Sequence, residues 1–209
     1  MTIKHGKRRR PRSSQRQAWQ HREIEPEREG SGELGIIVGH YGVAVDVRLD
    51  SSGELRSVKV QRKSGHVVGD RVEVIGERLR RLERRSELRR RDAMGHAHTV
   101  AANLDTLGIV VAALPPTPTG FIDRALIAAE AAGLEPLLLV NKADLPETAA
   151  LLDELRAPWL EGPGAIALTM LCVSAATGAG LGAVLDHCAA GKRGAFVGTS
   201  GGGKSALVN

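Results

Sequence analysis

The sequence predicts two folds in series, a small all-β barrel followed by a parallel α/β domain. Three observations carry that reading. Apolar and polar residues alternate with period two in short stretches between residues 34 and 75. From Asn103 onward, continuous apolar runs alternate with helical stretches. A glycine-rich octapeptide, Gly198 to Ser205, stands between the strand-like Ala195-Phe196-Val197 and the helix-like Ala206-Leu207-Val208.

A chain of 209 residues with 42% hydrophobic content has apolar mass for one domain or two small ones. No apolar run reaches the length of a membrane span, and Met1 to Arg10 lacks the apolar stretch of a secretory signal. The expectation is a cytoplasmic protein with no membrane partner. The two cysteines, Cys172 and Cys188, are too few for a disulfide framework or a zinc cluster and read as buried thiols.

The net charge of +5 is unevenly spread. Residues 1–22 hold eight Lys/Arg and no acid, and residues 78–91 hold eight Arg against Glu83 and Glu87. Residues 100–209 hold six Lys/Arg against ten Asp/Glu. A basic front and an acidic back suit a polyanion-binding half joined to a small-ligand half, with nucleic acid as the polyanion. Arginines that merely solvate an exposed face are the competing reading for 78–91.

Residues 1–33 have few large apolar side chains, basic residues first and then Glu23, Glu25, Glu27 and Glu29, which predicts a disordered tail. Order is expected from Leu34. Gly35 to Gly39 leads into Val43, Val45, Val47 and Leu49 alternating with polar or small residues, a half-buried strand. Ser51-Ser52-Gly53-Glu54 is turn chemistry, Leu55 to Gln61 returns as a hairpin partner, and Gly69-Asp70 announces a third strand at Arg71 to Ile75. Short strands at this spacing suggest an OB-like barrel over residues 34–92. Residues 77–91, with Leu79 and Leu82 among Arg and Glu, read by propensity as an amphipathic helix.

In the α/β part the expected order is an apolar run Leu107 to Leu114, a helix over 120–133, a run Pro136 to Val140, a helix over 147–156, a run Ala165 to Val173, a helix near 180–190, and the strand Ala195 to Val197. Strands that are apolar on both faces imply a parallel sheet covered on both sides.

The octapeptide Gly198-Thr199-Ser200-Gly201-Gly202-Gly203-Lys204-Ser205 fits the phosphate-loop pattern of glycine, four residues, then Gly-Lys-Ser. Its glycines let backbone amides converge on phosphate oxygens, Lys204 reaches the β and γ phosphates, and the Ser205 hydroxyl ligates Mg2+. Asn141-Lys142-Ala143-Asp144 follows the apolar Leu137 to Val140, where a strand's carboxyl end places a carboxylate in the ligand crevice of an α/β sheet. Guanine offers two adjacent donors that the Asp144 carboxylate accepts together; adenine presents an unmatched acceptor there. Asn141 is expected to brace the loop and Lys142 to pack along the base and the phosphate loop. Ser174-Ala175 follows a third apolar strand and suits a backbone amide aimed at the guanine oxygen, with space left for the ring.

Base-specificity loop, Ser-Ala loop, phosphate loop is the reverse of the usual order and looks like a circular permutation. With the barrel in front, the chain resembles the small-ribosomal-subunit biogenesis GTPases of the RsgA (YjeQ) type over about residues 34–209. Ala101 to Asp105, Ile122-Asp123-Arg124, Gly133 to Pro136 and Thr177 to Leu181 share in the likeness. The resemblance implies an OB-fold RNA-binding domain (34–92) and a circularly permuted α/β P-loop GTPase domain (93–209). It implies GTP/GDP and Mg2+ as cofactors, GTP hydrolysis in late maturation of the small (30S) ribosomal subunit, contact with its rRNA, and a monomer. It also replaces the helix at 77–91 by a barrel strand that continues as an arginine-bearing connection.

Relatives of that type continue past the phosphate loop into a switch region, an Asp-x-x-Gly loop and a zinc-binding domain, whereas these residues stop at Asn209. The expectation is that this polypeptide hydrolyses GTP poorly and identifies no catalytic residue of its own. The alternative is a non-catalytic OB-type RNA-binding module with an incomplete nucleotide site. Tyr41 is the one aromatic between residues 34 and 91, so RNA contact is expected to be electrostatic rather than stacked. His96 and His98, with no cysteine or carboxylate expected beside them, read as solvent-facing linker residues.

Overall fold

The computed structural model describes residues 32–156, 168–188 and 191–208. The expected tail up to residue 31, residues 165–167 of the expected apolar run and 189–190 of the expected helix lie outside the described residues. Order begins one residue earlier than the sequence suggested, because β1 runs Glu33–His40.

Five strands build the first layer: β1, β2 (Ala44–Leu49), β3 (Leu55–Lys59), β4 (Arg71–Ile75) and β5 (Arg78–Arg81), in the order β3-β2-β1-β4-β5, with every neighbour antiparallel. The outer strands β3 and β5 approach each other, and Arg56 Nη2 donates to the Gly76 carbonyl at 3.1 Å, so the sheet curls into an OB-like barrel. Its interior is filled by the alternating residues that the sequence singles out, Ile37, Val45, Val47, Leu49, Val58, Val72 and Val74. β-branched side chains suit this narrow pleated interior.

Residues 77–91 are not a helix. They form β5 and then β6 (Glu87–Arg91), which pairs with β7 (Ala97–Ala102) in a separate hairpin. Leu79 pairs with Val74 and packs on the barrel core, whereas Leu88 joins the core of the α/β part. Two leucines committed to two different cores outweigh a helix propensity worth only tenths of a kcal/mol per residue. The β6–β7 hairpin spans residues 87–102, so position 92/93, the boundary drawn from the sequence, falls within a hairpin turn. Within that turn Asp92 accepts from His98 Nε2 at 2.8 Å and lies 3.5 Å from His96 Nδ1. The histidines do face solvent, but His98 is a strand residue and both have a carboxylate beside them.

The joint between barrel and hairpin is close. A β-carbon on Gly69, whose φ is +90°, would stand 1.9 Å from the Ala102 carbonyl oxygen, so only glycine fits. Asn103 clasps both sides, accepting from the Arg85 amide at 2.8 Å and donating to the Gly69 carbonyl at 2.8 Å. Beside it, the Arg85 guanidinium and the Arg193 amide hold the Asp105 carboxyl below the usual carboxylate range.

Among the described residues, both ring nitrogens of His66 are buried and unpartnered. Burial pushes its imidazole below the ordinary value; Asp70 opposes that shift, while Arg81, Arg84 and His40 reinforce it. The unfolded chain therefore takes up the proton first as pH falls below about 6.5. Stability from keeping His66 neutral is present above that value and is lost as pH drops toward the lower folded-state pKa. His66→Phe is expected to flatten the fall in urea midpoint between pH 7.5 and 5.5; an unchanged slope would show that His66 contributes nothing to it.

The α/β part is a four-stranded parallel sheet in the order β10-β9-β8-β11, from β8 (Thr106–Val111), β9 (Glu135–Val140), β10 (Thr169–Cys172) and β11 (Gly194–Gly198). Between them lie α1 (Phe121–Ala131), α2 (Glu147–Arg156) and α3 (Leu181–His187), and α4 (Lys204–Val208) follows β11. All six residues of β8 are buried. Ile109, Val111, Leu138 and Val140 pack on one face and Val110, Leu137 and Leu139 on the other, as expected of a sheet covered on both sides. The run predicted to reach Leu114 ends as a strand at Val111; Leu114 itself is exposed, in a loop broken by Pro115, Pro116 and Pro118. Cys172 is exposed rather than buried, because it ends an edge strand, and Cys188 is half-buried.

Candidate functional site

Parallel register decides where the site lies. Val140 is paired with Val111 on one side and with Cys172 on the other, and Gly198 is level with Val110. All four strands therefore end together. The loops that follow them, at 112–120, 141–146, 173–180 and 199–203, gather along one carboxyl edge, the usual ligand-binding crevice of an open α/β sheet.

Asn141 ties this edge together. Its side chain is buried, its Nδ2 donates to the Gly202 carbonyl at 3.0 Å, and its Oδ1 accepts the Ala175 amide at 3.1 Å. One side chain thus joins the base loop, the phosphate loop 61 residues later and the Ser-Ala loop. The approach leaves no room at the next position: a β-carbon on Gly203 would meet Asn141 Nδ2 at 2.1 Å, and the φ of +93° there also requires glycine.

Asp144 is exposed, and its Oδ1 accepts the Ser174 hydroxyl at 2.5 Å. Ser174 is fully buried, and its oxygen also accepts the Thr177 amide at 3.2 Å. The carboxylate oxygen is the acceptor, so the hydroxyl hydrogen points at Asp144. The carboxylate is therefore held in one orientation with its remaining lone pairs turned outward, suited to a ligand with adjacent N–H donors.

The backbone of Lys142 is left-handed (φ +64°), and its Nζ donates to the Leu114 carbonyl at 2.6 Å, in the loop after β8. The Thr148 hydroxyl donates to the Lys142 carbonyl at 2.6 Å and locks the turn into α2. Sequence reading missed Leu114 and Thr148, whose roles depend on backbone atoms that carry no motif.

Gly198, Thr199, Ser200, Gly201, Gly202 and Gly203 wrap from β11 into α4. Lys204 Nζ donates to the Thr199 carbonyl at 2.7 Å, so the ammonium spans the mouth of its own loop, and Ser205 stands exposed on the first turn of α4. The Thr199 hydroxyl is buried without a partner. Convergent backbone amides, one ammonium and one hydroxyl form a donor set that fits a polyphosphate with its divalent cation. A cavity of about 600 Å³ lies beside β11, lined by Gly194, Phe196, Lys204, Ser205 and Val208, and meets this cradle at Lys204 and Ser205.

Ion pairing divides the arginines of residues 78–91. Arg80 pairs with Glu73, Arg84 with Asp70 and Glu87, Arg85 with Asp105, and Arg89 with Glu87. Arg78, Arg81, Arg90 and Arg91 are exposed and make no ion pair among the described residues. The charges of those four guanidinium groups are exposed to solvent.

Comparison with known proteins agrees with this architecture. Residues 81–209 match the family model described as RsgA GTPase. The small ribosomal subunit biogenesis GTPase RsgA of Azotobacter vinelandii is 41% identical over 214 residues, covering 95% of this chain and 60% of that protein. Its namesake in Pseudomonas savastanoi pv. phaseolicola is 40% identical, covering 86% and 54%. The chain thus spans between half and two thirds of the length of these relatives. The crystal structure of YjeQ from Thermotoga maritima superposes with a TM-score of 0.65 at 29% identity, over 85% of this chain and 64% of that one. YloQ, described as a circularly permuted GTPase, superposes at 0.58 with 21% identity over 88% and 66%, a likeness of fold.

Proposed function

Because the chain belongs to the RsgA GTPase family, we propose that residues 141–144, 174–175 and 198–205 bind GTP and GDP in the service of cytoplasmic maturation of the small (30S) ribosomal subunit. The observation that carries this reading is the Asn141 brace, which holds the base loop, the Ser-Ala loop and the phosphate loop in one crevice. In this reading Asp144 selects guanine, Lys204 neutralises the phosphates, and the Ser205 hydroxyl would ligate Mg2+. That cation would draw off phosphate charge and fix the phosphate oxygens.

The test is direct binding. The purified chain is expected to bind GDP and to ignore ADP, with Lys204→Ala lowering GDP affinity about tenfold or more through loss of a charge-assisted contact. Equal affinity for ADP would refute guanine selection. Hydrolysis further needs an oriented water and a group that senses the γ phosphate; the groups described here belong to the cradle, so GTP turnover by this polypeptide is expected to stay far below that of a longer relative.

The barrel and the β6–β7 hairpin serve the same role by holding rRNA through Arg78, Arg81, Arg90 and Arg91. Four such phosphate contacts predict affinity for structured RNA that falls steeply with salt, with a log–log slope of roughly −3 to −4. A flat response would exclude this mode. With Tyr41 alone exposed on the barrel, stacking is a minor contribution.

A further inference from the structure

The loop after β8 belongs to none of the three nucleotide motifs, yet it touches two of them. Lys142 of the base loop donates to the Leu114 carbonyl at 2.6 Å. The next residue reaches the phosphate loop: a β-carbon on Gly201 would stand 3.1 and 3.2 Å from Cγ and Cδ of Pro115, so the pyrrolidine ring lies flush on the glycine. Gly201 has φ +78° and turns the chain between Ser200 and Gly202. At the start of the same loop the Ala112 carbonyl accepts the Thr117 hydroxyl at 3.4 Å.

We propose that Pro115 is a positioning residue for the nucleotide phosphates, and that Leu114-Pro115 forms a strut from the base loop to the phosphate loop. The inference rests on the guanine-nucleotide reading above and adds to it a residue that touches no nucleotide motif in sequence. Its physical basis is the rigidity of the two ends. Lys142 is fixed at its far side by the Thr148 hydroxyl, and the proline ring has one backbone torsion locked and no rotatable side chain to swing away. Gly201, by contrast, is the most permissive residue type and has no side chain with which to hold itself. Packing a rigid ring against it restricts the loop to the curvature in which Asn141 holds the Gly202 carbonyl. The side of the nucleotide that gains is the terminal phosphates, because the strut bears on the loop and not on Asp144.

The experiment compares GDP with GMP, which share base and ribose, by competition against a fluorescent GDP analogue on the purified chain. Pro115→Ala is expected to lower GDP affinity about fivefold and leave GMP affinity unchanged, so that the GDP/GMP preference falls by the same factor. Equal losses for both nucleotides, or no loss for either, would overturn the proposal. A double-mutant cycle with Gly201→Ala reads the contact itself: the strain of an alanine at positive φ enters both arms and cancels, so direct packing makes the two GDP losses non-additive. Strictly additive losses overturn it as well. A wild-type chain that binds neither nucleotide would overturn the guanine-nucleotide reading together with this inference, and so is told apart from a failure confined to Pro115.

Discussion

Asp144→Asn is expected to lower GDP affinity by two to three orders of magnitude and to raise affinity for xanthosine diphosphate. In the proposed binding mode the carboxylate accepts two parallel N–H donors from the guanine edge, and hydrogen bonds to a charged group contribute about 1.5–3 kcal/mol each. Two of them total about 3–6 kcal/mol, roughly a hundredfold to ten-thousandfold, and the replacement amide recovers part of the upper end. The geometry sets which way the amide turns. Ser174 accepts the Thr177 amide and donates its one hydroxyl hydrogen to residue 144, a bond that an oxygen there preserves. An asparagine therefore offers its carbonyl oxygen to Ser174 and presents its NH2 to the base. That NH2 collides with the guanine 2-amino group and matches the xanthine 2-carbonyl. Competition by GDP and xanthosine diphosphate against a fluorescent nucleotide measures the exchange. An unaltered preference for GDP would remove Asp144 from base selection. Ser174→Ala should loosen selectivity without inverting it, because it frees the carboxylate to rotate but leaves its charge.

The parts of this molecule legible in the sequence are those whose cause is local. Alternation and turn chemistry located β3 and β4, and apolar runs located β8 and β9, whereas the one strand read over residues 35–49 is two, β1 and β2, because the chain turns at 41–43 and pairs back on itself. What the sequence left open depends on partners far away along the chain. Residues 77–91 have the propensity of a helix, and only the pairing of Leu79 with Val74 and of Leu88 with Ala101 turns them into strands of two different sheets. The arginines of that stretch look alike in sequence, yet Arg85 answers Asp105 20 residues on, while Arg90 answers no acid among the described residues. The motif marks Lys142 for the base and the phosphate loop, but its bond to the Leu114 carbonyl involves a backbone oxygen that no side-chain pattern marks. Cys172 looked buried because its neighbours are apolar; an edge position in the sheet is a property of topology.

Arg84→Ala is expected to cost about 3–5 kcal/mol of stability, the largest single loss in the barrel, because it strands a buried carboxylate. Asp70 has no exposed surface and Arg84 is 11% exposed. The guanidinium reaches both carboxylate oxygens, Nε to Oδ1 at 2.6 Å and Nη2 to Oδ2 at 2.9 Å, and also donates to the Gly65 carbonyl at 2.7 Å and to Glu87 at 3.0 Å. Hydrogen bonding to Asp70 holds the arginine's proton even more firmly than usual. The loss is a large share of the roughly 5–15 kcal/mol that a domain has in hand, and it should appear as a drop in urea midpoint with the slope unchanged. Removing both charges separates the pair's worth from the penalty of breaking it: Asp70→Leu with Arg84→Met should recover most of the stability, since a well-packed apolar pair often equals a buried ion pair. A loss under about 1 kcal/mol for Arg84→Ala would mean that water reaches Asp70 and that the pair behaves as a surface one. The position of the pair gives the measurement a functional reading as well. Arg84 joins the loop before β4 to the start of β6 and lies in the chain between Arg78 and Arg81 on the barrel and Arg90 and Arg91 on the hairpin. If those four act together on RNA, the double variant should fold yet bind RNA with the same salt slope, because the number of phosphate contacts is unchanged while only their support has been rebuilt.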